Sequence, residues 1–300
     1  MTKRIWGRLV SWEIPATRGL TFGEMVSALI HELDKDHLRS YAGNLAFRGF
    51  LAIFGALVIL FSVMGIFGAK DLVDALVSQV SSVVPEPAIE ALRSQVLTTA
   101  KESSSPGGFY PALALLGALY TLSATARGVI DGLNKMMNFD EKRPLLKRGV
   151  VSVTMALVVL ILLMVALLLI VAGSSFGEAV SRSVGLSGDF ALVFRILRWP
   201  ALIALVLFAY ALVYYYAPAE RVDFKAVSHG SVIALPLWLI GSKVFAVMVE
   251  SFGSFEETYG ALAGVVVLMF YMFFSSYVLF IGAEINDVVD RNRKGRKLRS

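Results

Sequence analysis

Seven charged residues stand inside or at the borders of long apolar stretches: Arg48, Arg127, Asp131, Arg195, Arg198, Lys243 and Glu284. Where a segment crosses a bilayer, a charge within it is costly, and it marks a candidate site for an ion, a headgroup or an opposite charge. Arg195 and Arg198 are three residues apart and share one helix face. Lys243 lies nearly two turns from Glu250, inside its stretch, where the lysine stem does not reach water easily. Together Arg195, Arg198 and Lys243 could bind a phosphate or carboxylate headgroup. The alternative for Lys243 is a pairing with Glu250 or with a neighbouring helix. Arg48, Arg127, Asp131 and Glu284 fall at a common depth near the other ends of their stretches. That set is charge-balanced and either lines an inner vestibule or holds helix ends together, and both arginines are close enough to an end to snorkel.

Other chemistry finds little material. The stretch from His31 to His37 (HELDKDH) holds two histidines, but six residues separate them. A helical metal site of the HExxH kind needs a spacing of four so that both face the same way. A solvated polar face is the favoured reading. Cysteine is absent, which excludes a disulfide framework and thiolate metal sites. No glycine-rich phosphate loop, GxSxG nucleophile turn or metal-ligand cluster appears. The residues therefore predict no catalytic constellation, no cofactor and no metal.

The elements that must position these charges are membrane helices. Gly149–Phe176 is an uncharged run of 28 residues, and a bilayer core of about 30 Å needs only about 20. The 300-residue chain is 57% hydrophobic, above the roughly 45–50% of soluble domains. The pattern predicts an all-α polytopic membrane protein with six transmembrane helices, at about 44–67, 108–130, 150–173, 191–216, 227–249 and 259–283. Of the 28 Lys and Arg residues, 19 then fall on one face of the membrane, four on the other and five within or at the ends of spans. By the positive-inside bias both termini are cytoplasmic. The net charge of +5 reads as topology signals and contacts to anionic lipid headgroups, not as a nucleic-acid surface, since the basic residues are dispersed between apolar spans.

Three further segments frame the 44–283 membrane domain. In the N-terminal segment, 1–43, Thr21 and Glu24 fit a capping box. Phe22, Met25, Val26, Leu29, Ile30 and Leu33 then form an amphipathic helix with charges opposite. It lies either on lipid headgroups or against the ends of the bundle. Residues 69–106 predict an external helical hairpin broken at Pro85 and Pro87. Residues 284–300 form a basic tail.

The sixth span carries a specific pattern. Phe252-Gly253-Ser254-Phe255-Glu256-Glu257-Thr258-Tyr259-Gly260-Ala261-Leu262 leads into an apolar helix that ends Gly282-Ala283-Glu284-Ile285-Asn286. This resembles the FGSYxxTYGxL and GAExN pattern of the YihY/BrkB family of bacterial inner-membrane proteins, once called ribonuclease BN. Tyr41–Phe47, Leu133-Asn134-Lys135, Lys142-Arg143-Pro144 and Ala217-Pro218 agree with it. Glu256 and Glu257 depart from it, standing where the family often has a small or amide residue. The resemblance covers about residues 20–290 and implies a six-helix inner-membrane fold.

The combined reading is an inner-membrane protein that transports or translocates a lipid or anionic amphipathic solute. The alternative is a non-transporting scaffold for envelope-assembly partners, and a homo-oligomer fits either. Ribonuclease activity has no support in these residues.

Overall fold

A computed structural model describes residues 19–66, 109–184, 189–220, 222, 228–251 and 261–295. The regular elements among them are α-helices: α1 (Phe22–Lys35), α2 (Leu38–Ile66), α3 (Phe109–Met136), α4 (Leu145–Val184), α5 (Asp189–Tyr216), α6 (His229–Ser251) and α7 (Ala261–Arg293). The six long helices, α2–α7, coincide with the six expected spans. Five contain a segment long and apolar enough to cross a membrane: Leu38–Leu60, Leu145–Leu167, Ile196–Tyr216, His229–Met248 and Ala263–Arg293. The other, α3, has Arg127, Asp131 and Lys135 in its last ten residues. Its uncharged part, 109–126, rises about 27 Å, close to the bilayer core thickness. The expected hairpin at 69–106, the stretch 252–260 and the end of the tail lie outside the described residues.

α7 is the central element, packing against α1, α2, α3 and α6, while α2 pairs with α3 and α4 with α5. The main core gathers where α7 ends. Leu38, Ala42 and Leu45 of α2 meet Ile130, Leu133 and Met136 of α3, Met155 of α4, Tyr214 of α5 and Phe280 and Ala283 of α7. These side chains are buried, whereas the outer faces stay apolar and exposed, as at Ile161, Ile196, Ile240 and Val244. A helix that buries one stripe and exposes further apolar surface is what a bilayer solvent selects.

Small residues set the closest approach. A Cβ on Gly282 would strike the Tyr214 hydroxyl and come within 3.1 Å of the Gly230 carbonyl oxygen, and a Cβ on Gly230 would strike the Gly282 carbonyl. Glycine at both positions lets the α6 and α7 backbones touch. By contrast, Gly117 has nothing within 4 Å of an added Cβ.

α1 settles one open alternative, because it packs on the bundle. The Thr21 N–H donates to Glu24 Oε2 at 2.9 Å and the Glu24 N–H to Thr21 Oγ1 at 3.3 Å, closing the predicted capping box. Leu20 and Met25 are buried against Ile285, Val288 and Val289 of α7. The expectation that the α1 charges all face away is corrected. Glu32 and Asp36 are 2% and 1% exposed, because they sit on the edge of α1 that turns toward α7.

Candidate functional site

Each of the four residues expected at the inner end makes its own contact. Arg48 of α2 donates from its guanidinium to the Ala124 carbonyl at 2.9 Å, and Thr125 Oγ1 donates to the Arg48 carbonyl at 2.9 Å. Arg48 thus ties α2 to α3. The Arg127 guanidinium lies 5.7 Å from the Tyr120 ring centroid. Asp131 pairs with Arg148 of α4, a residue that sequence reasoning had used only as a topology signal. Glu284 lies in a different cluster, with Glu32 and Asp36. Asp131 thus finds a cation on α4, while Glu284 faces the carboxylates at α1.

That cluster is the densest polar feature among the described residues. Glu32 of α1 and Asp36, the residue just past its end, are four apart, and the Asp36 N–H still donates to the Glu32 carbonyl at 2.9 Å, so the two share a face. Glu284, Asp287 and Arg291 recur at spacings of three and four on α7, which also puts them on one face. Arg291 donates to Glu32 Oε1 at 3.1 Å and pairs with Asp287. Lys135 of α3 reaches Asp36 Oδ1 at 3.1 Å. One carboxylate oxygen each from Glu32, Asp36 and Glu284 lies within 4.8 Å of the others. These three carboxylates come together only where α1 packs on α7, a juxtaposition that residue spacing alone does not reveal. His31 and His37, which first invited a metal reading, are exposed.

Two polar locks surround the cluster, and both use residues of the resembling motifs. In the first, Arg143 forks onto Glu141, with Nε donating at 2.8 Å and the terminal nitrogen at 2.6 Å, and also donates to the Ala217 carbonyl at 2.9 Å. Asn134 completes it, giving a hydrogen bond to Glu141 at 3.0 Å and accepting one from the Ala219 N–H at 2.6 Å. Arg143 holds the Glu141 carboxyl below the usual carboxylate range. In the second lock, Asn286 accepts from the Gly230 N–H at 2.8 Å and donates to Ser228 Oγ at 3.1 Å, which satisfies part of the α6 N-terminus. Tyr214 donates to the Leu279 carbonyl at 2.9 Å. A pocket beside this lock, lined by Tyr214, Ser228 and Asn286 among others, has a volume of about 30 Å³. It admits water, not a lipid headgroup.

The remaining candidates lie toward the opposite end. Lys243 is exposed on α6, fourteen residues on from His229 and so about 20 Å along the axis. The residues around it on the helix surface, Leu239, Ile240, Val244 and Val247, are exposed and aliphatic. Arg198 of α5 stands 5.4 Å from the Trp199 ring centroid. The side chains of Arg195 and Glu250 lie outside the described residues.

The family profile described as Virulence factor BrkB matches residues 29–300. The chain belongs to the BrkB family. Its similar relatives include YfkH of Bacillus subtilis strain 168, a protein whose name calls it ribonuclease-like. The two are 25% identical over 257 residues, covering 85% of this chain and 91% of YfkH. The UPF0761 membrane protein VP0125 of Vibrio parahaemolyticus is 27% identical over 264 residues, covering 86% of this chain and 79% of that protein. No solved structure matches the chain. Family and apolar helices together make it an integral membrane protein. Within this BrkB-family chain, Asn134, Arg143, Ala217, Gly282 and Asn286 build the locks, and Glu284 enters the acidic cluster.

Glu32, Asp36, Asp287, Arg291 and Arg148 were missed as site residues. The i, i+4 spacing of Glu32 and Asp36 was readable, but the two histidines beside them drew the metal question instead.

Proposed function

We propose that this BrkB-family protein moves a lipid or another anionic amphipathic solute across the bacterial inner membrane, with both termini in the cytoplasm. The observation that carries this reading is Lys243. It is exposed on the outer face of a helix apolar enough to span a bilayer, among exposed aliphatic side chains. In hydrocarbon an ammonium group is costly unless an anion accompanies it. A phosphate or carboxylate headgroup supplies that anion, while the acyl chains lie on Leu239, Ile240, Val244 and Val247. Arg198, beside Trp199, offers a second cation with an interfacial aromatic anchor on the neighbouring helix α5. The excess of Lys and Arg on one set of loops supports the orientation.

The test is transbilayer movement of a fluorescent anionic phospholipid in proteoliposomes, at equal protein content. Lys243→Leu should lose most of the movement and Lys243→Arg should keep it. Full activity in the leucine variant contradicts the role given to Lys243.

A further inference from the structure

From the acidic cluster we infer a binding site for a divalent, oxygen-seeking cation, held by Glu32 and Asp36 at the end of α1 and Glu284 of α7, which ties α1 to the bundle. The inference is independent of the cargo proposed above. Four carboxylates crowd this corner: Glu32, Asp36, Glu284 and Asp287 are 2%, 1%, 0% and 7% exposed. The cations that face them are Arg291, on Glu32 and Asp287, and Lys135, on Asp36, with Lys35 3.8 Å from Glu32. None of these makes a hydrogen bond to Glu284, although Arg291 lies close enough to act on it electrostatically.

The second observation is the state of the oxygens. Both carboxylate oxygens of Glu284 are buried without a hydrogen-bond partner, as are Glu32 Oε2 and Asp36 Oδ2. Asp36 gives Oδ1 to Lys135 and leaves Oδ2 without a hydrogen bond, while Glu32 gives Oε1 to Arg291 and its Oε2 has only Lys35 at 3.8 Å, beyond hydrogen-bond distance. A buried carboxylate left this way is strongly unfavourable unless a proton or a cation neutralises it. Glu284 is fully buried and has an oxygen within 4.8 Å of both α1 carboxylates, so it faces them directly.

The donor set and its size choose the ion class. Three carboxylates and no nitrogen or sulfur ligand favour a hard divalent cation of the calcium and magnesium kind. Oxygens on opposite sides of Ca²⁺ stand about 4.6–5.2 Å apart, and those across Mg²⁺ about 4.0–4.2 Å. One oxygen from each of the three carboxylates lies within 4.8 Å of the others, close enough for a single ion of either size to draw them together. The rim of the cluster meets solvent, where Lys35 and Lys135 are 43% and 41% exposed. Two ligands from α1 and one from α7 make the ion a clasp between the N-terminal helix and the central helix.

Full-length protein in detergent, stripped with EDTA, is titrated calorimetrically with Ca²⁺ and separately with Mg²⁺ near neutral pH. Saturable uptake at one site per chain is expected. Glu284→Gln and Asp36→Asn should weaken it by at least about tenfold, and Asp140→Asn, an exposed acid in the α3–α4 loop, should leave it unchanged. Melting in EDTA identifies folded variants. Should Glu284→Gln fail to fold, Asp36→Asn and Glu32→Gln carry the test, and the added ion should raise the melting temperature of the wild-type chain but not of these variants. Folded wild-type protein that takes up neither ion overturns the inference and leaves a proton as the neutralising partner. Equal uptake by wild type and the ligand variants overturns it as well.

Discussion

The two ends of the bundle handle charge in opposite ways. Where α1 lies, charge is tied between elements, with its carboxylates largely buried: Arg291 joins α7 to α1, Lys135 joins α3 to the end of α1, and Arg148 joins α4 to α3. Toward the other end, Lys243 is exposed among aliphatic side chains and Arg198 lies against an indole. The difference teaches that charge near a membrane span serves two separate purposes here. At the α1 end it holds helices together, and its removal is felt as lost stability. At the far end it faces outward, and on the proposed function its removal should be felt in what the protein binds.

That contrast can be broken by substitution, beginning at the α1 end. Arg291→Ala leaves Glu32 and Asp287 buried without their main cation and should cost about 3–5 kcal/mol, read as a large drop in melting temperature in detergent. Gly282→Val forces a side chain into Tyr214 and the Gly230 carbonyl. It should cost about 1–3 kcal/mol, visible as lower melting and a reduced yield of monodisperse protein. Asn286→Ala removes the acceptor of the Gly230 N–H and should cost about 1 kcal/mol by the same melting assay. Lys243→Leu should change stability by no more than about 0.5 kcal/mol while it removes activity. A stability loss at Lys243 as large as that at Arg291 would erase the distinction between the ends.

The smallest effect is expected from acid. Arg143 holds the folded-state Glu141 carboxyl below its ordinary range, so the stabilisation is fully present above the ordinary glutamate value of about 4.3. It is lost as pH falls through the lowered folded value. The gap in melting temperature between wild type and Glu141→Gln should therefore be present at neutral pH and close in acid below that range. A gap that widens with acid contradicts the assignment.

Much of the fold was legible because hydropathy and loop charge report directly on a bilayer. The six long helices fall where the apolar stretches predicted them, and the capping box at Thr21 and Glu24 formed as read. The candidate site was legible only in part. Glu284 and Asn286 stood out through the motif that contains them, yet their partners are set by tertiary contact. Nothing in the spacing of Glu32 says that α1 rests on α7 and not on headgroups, since either surface covers the same apolar face. Arg148 looked like a loop charge because its partner, Asp131, lies on another helix. Lys243 was legible as an intramembrane charge, and the structure adds that it faces outward.

The most direct measurement is dithionite quenching of fluorescent phospholipid in proteoliposomes, comparing an anionic with a zwitterionic headgroup on the same chains. The account predicts transbilayer movement above empty liposomes for the anionic probe and little for the zwitterionic one. Folded protein that moves neither probe faster than empty liposomes would contradict lipid translocation and favour a scaffold or a small-solute carrier.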